Sequence, residues 1–210
     1  AAGSTSVGSS DLLVAFDGTL SNGPWDLDED LNKVNGLAKL SGPDWSIGLT
    51  GYHASWNATD QVPQRAIDSG LIGRFGNIDP ALGGRTTRLG VTGNAKLGAT
   101  ELNLFAVYYR FRLTSNFTYF LNDPVAGDEF KQRDQRGVFG GSARHVVPLT
   151  IGDVPASLTV GGDARWDHIG KIGLYPSVAG ATSGVVRQDR VDEYSGAIYA
   201  EGSASLAPRV

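Results

Sequence analysis

Apolar and polar residues alternate one by one along most of this chain. From Ala156 to Ile169 the even positions are Ala156, Leu158, Val160, Gly162, Ala164 and Trp166, and the odd ones are Ser157, Thr159, Gly161, Asp163, Arg165 and Asp167. Successive side chains of a strand point to opposite faces, so the segment has one greasy and one charged face, which a helix would scramble. Thr86–Leu97 repeats the pattern with Thr87, Leu89, Val91, Gly93, Ala95 and Leu97 against Thr86, Arg88, Gly90, Thr92, Asn94 and Lys96. Tyr194–Leu206 is a third clear strand, with Tyr194, Ile198, Ala200 and Ala204 opposing Ser195, Tyr199, Glu201 and Ser203.

Weaker alternation predicts strands over Leu12–Leu20, Asn32–Leu40, Trp45–Asn57 and Gly137–Leu149. In Trp45–Asn57 the bulky residues change parity after Gly51, which predicts a bulge there or a strand end. Gly140-Gly141 marks a close approach or a point of curvature. Leu102–Phe120 is the most apolar stretch: Phe105, Val107, Tyr109, Phe111 and Leu113 read as its greasy row, which leaves Arg110 and Arg112 on the polar side.

Eight strands result, and their connections alternate in length. Ser41–Asp44, Gly98–Ala99 and Thr150–Pro155 are short; Ser21–Asp30, Ala58–Gly84, Asn116–Asp134 and Gly170–Val191 are long. Outer-membrane barrels have short periplasmic turns and long extracellular loops, whereas a soluble sandwich has no reason to gather its long loops at one end. The expected fold is therefore all-β, an antiparallel transmembrane β-barrel, here an open curved segment of about eight strands from a larger barrel. The whole chain, residues 1–210, reads as one partial barrel domain without a plug. Its first strand rises from the periplasmic side, its eighth returns there, and Trp25, Trp45, Trp56, Trp166 and Tyr199 fall where interfacial girdles are expected.

Composition narrows the chemistry. With 18 Lys+Arg against 22 Asp+Glu the net charge is −4, which gives no footing for nucleic acid. There is no Cys, hence neither a disulfide nor a thiolate metal site, and His53, His145 and His168 are too scattered for a ligand set. No run approaches the ~18 apolar residues of a membrane helix, but tilted β-strands cross in ~9–11 residues and escape such a scan. The chain has no starting Met and no apolar leader, and is expected to be part of something longer. Asp163 and Asp167 share a face but lie ~13 Å apart along a strand, too far to share a proton or an ion.

The run Gly51-Tyr52-His53-Ala54-Ser55-Trp56-Asn57-Ala58-Thr59-Asp60-Gln61-Val62-Pro63-Gln64-Arg65-Ala66, followed by Gly76-Asn77-Ile78-Asp79-Pro80 and Gly83-Gly84-Arg85-Thr86-Thr87-Arg88, resembles the barrel region of TonB-dependent outer-membrane receptors. Gly161–Ile169 and Arg187–Glu201 are similar to later strands of that family. The resemblance runs from about Asp11 to Val210 and lies in strand and loop texture, so it speaks to family and not to substrate. It implies a barrel of about 22 strands around a plug. It also implies residence in the bacterial outer membrane among its lipids, and energy from TonB through a segment not visible here. Transport would then involve no broken bond, no catalytic residue, no cofactor and no bound metal of the protein's own.

A receptor of this kind holds a scarce solute, such as a metal–siderophore complex, with its loops and lumen. Gln61, Arg65, Arg74, Phe75 and Arg85 of the second long loop are the candidate contacts, because guanidinium groups grip carboxylates and similar anions with two hydrogen bonds. Asp60, Asp68 and Asp79 in the same loop compete for those arginines. Arg88, Lys96, Arg110, Arg112, Arg144, Asp163, Arg165, Asp167, Glu193 and Glu201 are expected on the lumen wall as charge pairs. Two alternatives remain. A complete eight-stranded structural or adhesive barrel would pair Leu12–Leu20 with Tyr194–Leu206, and an outer-membrane hydrolase would need a nucleophile elbow, which the sequence lacks.

Overall fold

Three of the two-residue turns begin with glycine: Gly8-Ser9, Gly98-Ala99 and Gly152-Asp153. These glycines have φ of 63°, 62° and 63°, the left-handed backbone that a glycine-first hairpin turn requires. The computed structural model describes residues 1–58 and 62–205, and in it these turns help fold the chain into one antiparallel sheet of ten strands. The strands are β1 (Ala2–Val7), β2 (Ser10–Ser21), β3 (Leu31–Ser41), β4 (Trp45–Asn57), β5 (Gly83–Leu97), β6 (Thr100–Ser115), β7 (Phe130–Ile151), β8 (Val154–Val178), β9 (Ala181–Thr182) and β10 (Arg187–Ala204), with one short helix, α1 (Gln64–Asp68). Neighbours in sequence are neighbours in space from β1 to β8; β10 follows β8, and β9 pairs only with the end of β8.

The register carries one apolar face across the whole sheet. Val14 lies opposite Ala38, Ala38 opposite Leu49, Leu49 opposite Val91, Val91 opposite Ala106, and Ala106 opposite Phe139. Phe139 then meets Trp166, and Trp166 meets Tyr194. Directly opposed residues share a face, so this is one surface of small and greasy side chains seven strands wide beyond β2. Among the described residues nothing packs on it: Phe16, Ile47, Leu89, Leu104 and Ile198 are all exposed, Ile198 at 93%. The molecule accordingly exposes 13544 Å², where a compact protein of 22.1 kDa would expose about 9,300 Å². Of its few buried side chains, Leu82, Tyr119, Tyr175, Asp79, Asn116 and Glu129 gather where the long connections fold together, and Ala54, Val138 and Asp167 lie in the sheet.

Glycines in the sheet serve as seats for large neighbours. A Cβ on Gly84 would lie 2.3 Å from the Trp56 ring, one on Gly140 2.6 Å from Phe105, and one on Gly161 2.5 Å from Tyr199. Each large side chain stands opposite its glycine on the adjoining strand and lies across it. The Gly140-Gly141 pair thus does mark a close approach, with Leu104 over Gly141.

The structure corrects several expectations. The sheet has ten strands, not eight: β1 is short, polar and rich in serine, so it shows no bulky alternation. β1 also starts the chain beside Ala15, halfway up β2, and only the end of β10 lies at the short-turn side. Register runs through Gly51 unbroken, and the irregularity lies instead at Gly170, which is skipped between Lys171 and Ile169. Two long loops shrink, to residues 116–129 and 179–186, because β7 and β8 continue far beyond the greasy belt, β7 with polar residues and β8 with Ile172 and Leu174 on the face opposite the belt. β6 is turned over: Leu102, Leu104, Ala106 and Tyr108 share the apolar face, while Phe105, Val107, Tyr109, Phe111 and Leu113 lie with Arg88 and Thr92 on the polar one. Arg110 and Arg112 therefore leave the polar face. Trp45 and Trp166 lie on the apolar face, but Trp56 and Tyr199 do not, and Trp25 sits in the first loop.

Candidate functional site

The long connections interlock at one end of the sheet. Trp25 of the first packs edge-on against Phe75 of the second at 5.8 Å, and the Asp26 amide donates to the Phe75 carbonyl. The second grips the third twice: Asn116 donates to Asp79, and the Arg65 guanidinium to the Thr118 carbonyl at 2.6 Å. The third is tied to the fourth through buried Glu129, whose carboxylate accepts from the Ser177 hydroxyl and the Gly180 amide. Lys131 reaches the Gly180 carbonyl. The third loop is also self-bound, because Asp128 accepts from the Thr118 hydroxyl and the Asn122 and Asp123 amides, which hold its carboxyl below the usual carboxylate range. Such loops are ordered by their own polar contacts, as a binding surface on a rigid wall needs to be.

The candidate contacts do not converge within this cap. Gln61 lies outside the described residues. Arg65 is used between loops, Arg74 is exposed, and Phe75 is half covered by Trp25. Arg85 is not in the loop at all: it stands on β5, opposite Arg112, on the apolar side of the sheet.

What lies under the cap is a different set of residues. On the polar face of β6–β10 an open groove of about 770 Å³ is lined by Tyr109, Phe111, Asp134, Leu174, Arg187 and Asp189, among others. Tyr109 and Phe111 stack with planes 10° apart and centroids 6.4 Å apart. Asp134 pairs with Arg136 and Arg187 with Asp189, each two residues along its own strand. Aromatic faces beside paired charges can hold a solute that is flat or greasy in one part and charged in another. Alternation alone does not reveal this groove, because the bulkier row of β6, with Tyr109 and Phe111, lies on the polar face.

Elsewhere the polar face carries the mixed charges expected of it. Glu101 and Arg144 form a two-pronged pair across β6 and β7 at 2.8 Å, and Arg165 pairs with Asp167 along β8. Arg88, Lys96, Asp163, Glu193 and Glu201 share that face. The three histidines are hydrogen-bonded across strands, His53 to Thr87, His145 to Thr100 and His168 to Asp192. No family model, curated protein or solved structure matches the chain.

Proposed function

We propose that this sheet is a stretch of wall from a bacterial outer-membrane β-barrel of the TonB-dependent receptor kind, which takes up a scarce solute such as a metal–siderophore complex. The observation that carries the reading is the uncovered apolar face running from β2 to β10. In water that surface would drive collapse or aggregation, whereas in a bilayer it is the expected coat of a spanning sheet. On β8 the greasy part covers Ala156 to Trp166, which matches the ~9–11 residues a tilted strand needs to cross. The polar face then borders the lumen, the interlocked loops face outward, and the Tyr109–Phe111 groove meets solute entering beneath them.

A complete small barrel is disfavoured, since β2 pairs with β1 and β3, and β10 with β8, so the strands that would close an eight-stranded cylinder do not meet. The parent wall would close through further strands, with TonB acting on a region other than this one.

Uptake tests the reading. Cells expressing the full protein are given a labelled panel of ferric siderophores, cobalamin and oligosaccharides, with and without TonB. Accumulation of at least one solute that is lost without TonB is expected, and removing both rings with Tyr109→Ala and Phe111→Ala weakens its binding about tenfold. Outer-membrane insertion with uptake that ignores TonB would refute the transporter assignment.

A further inference from the structure

Asparagine followed by glycine occurs twice in the chain, at Asn22-Gly23 and at Asn35-Gly36. Such a pair can react with itself, because glycine lacks the Cβ that would shield its amide nitrogen from the asparagine side chain before it. The fold places the two pairs differently. Asn35-Gly36 lies inside β3, with Gly36 opposite Phe16 of β2 on one side and Gly51 of β4 on the other. Bringing the Asn35 side chain onto the next amide requires a turn of the backbone that breaks both ladders, and so the opening of a large part of the sheet.

Asn22-Gly23 lies just past the end of β2, exposed, at the start of the first long connection. Its peptide unit is polarised from both ends. The Glu29 amide donates to the Asn22 carbonyl at 2.9 Å, and the Gly23 amide donates to the Ser21 hydroxyl at 3.2 Å. The first bond draws electron density out of the unit, and the second holds the proton that must leave. Gly23 has φ of 64°, and the Trp25 ring lies 2.7 Å from where a Cβ on Gly23 would stand. The reactive pair thus sits against the ring that clasps Phe75 of the second connection.

We propose that Asn22 is a site of spontaneous modification by water, converting to aspartate and isoaspartate, and that the conversion releases the first long connection from the second. The Gly23 nitrogen gives up its proton and attacks the Asn22 Cγ; the new C–N bond forms as the side-chain amide nitrogen leaves as ammonia, closing a cyclic imide. Water then opens the ring at either carbonyl carbon. One opening gives aspartate, the other isoaspartate, with the chain rerouted through the Asn22 Cβ. Either product adds a negative charge beside Asp26, Asp28, Glu29 and Asp30, which repel it, and isoaspartate also lengthens the backbone directly before Trp25. The reaction goes beyond the transport reading and does not depend on it.

Peptide mapping of the full protein, held for days in mildly alkaline buffer, tests this, with an isoaspartate-specific methyltransferase assay to tell the products apart. In the folded protein Asn22 is expected to convert at least about tenfold faster than Asn35, and in urea the two are expected to convert alike. An Asn22 that stays an amide would overturn the proposal, as would an Asn35 that converts equally fast in the folded protein. Chymotrypsin cleavage after Trp25 reads the release. Aged protein is expected to be cut there at least about fivefold faster than fresh protein, while Asn22→Gln protein, aged alike, is cut as slowly as fresh. Cleavage unchanged by conversion would show the clasp intact and overturn the release.

Discussion

Arginine at Val91 is expected to cost about 2–4 kcal/mol of stability in a bilayer, while arginine at the adjacent Thr92 leaves stability within about 0.5 kcal/mol. Val91 sits in the middle of the apolar face between Leu49 and Ala106, so a guanidinium there must enter hydrocarbon. Thr92 faces the other way, opposite Gly48 and Phe105, and is exposed. Two neighbouring residues of one strand thus differ by a factor of roughly ten or more in the folding equilibrium, which only a sheet with unlike solvents on its two faces explains. Denaturant titration of each variant in lipid vesicles measures the difference; equal costs would show that both faces meet water.

Valine at Gly140 should destabilise the sheet by about 1–3 kcal/mol, although valine ordinarily favours strands. Its Cβ would lie 2.6 Å from the Phe105 ring and 2.9 Å from the Ala164 carbonyl. The ring is a side chain able to turn aside, but the carbonyl belongs to the β7–β8 ladder, so relief requires that ladder to shift. Gly93→Ala is the control: nothing lies within 4 Å of its Cβ position, and shortening the unfolded chain's freedom should stabilise by about 0.4–1 kcal/mol. Unfolding midpoints in detergent compare the two, and a neutral Gly140→Val would mean that Phe105 does not rest on that glycine in the folded protein.

Most of the sheet was legible because alternation is a local property. The rows of Ala156–Ile169 and Thr86–Leu97 keep the parity read from them, as does Tyr194–Leu206 as far as Ala204, Leu206 lying outside the described residues. In β6 the most hydrophobic row, Phe105 to Leu113, reads as the greasy face by size alone, yet it lies on the polar one. The correction was available in the sequence: a two-residue turn at Gly98-Ala99 pairs Leu97 with Thr100, which puts Leu89 opposite Tyr108 and Val91 opposite Ala106. Once Leu89 and Val91 are assigned to the apolar face, Ala106 and Tyr108 must join them, and Phe105 and Tyr109 cannot.

The upper ends of β7 and β8 were harder to find. Lys131–Arg136 is polar throughout, and in Lys171–Val178 the apolar Ile172 and Leu174 lie on the face opposite the greasy belt, so neither segment continues the apolar row of its own strand. The same limit hid the functional geometry. Residue type alone marks the loop arginines, but whether Arg65 spans two loops or Arg85 stands on the apolar face depends on pairing across strands and on loop packing, which no local pattern records.

The most direct test of the membrane-wall reading is a spin-label scan along β8 from Ser157 to Trp166 in lipid vesicles, with collision rates measured against oxygen and a water-soluble nickel complex. Labels at 158, 160, 164 and 166 are predicted to meet oxygen and those at 157, 159, 163 and 165 the nickel complex, a clean two-residue period. Access to nickel at both sets of positions would contradict it and return the sheet to water.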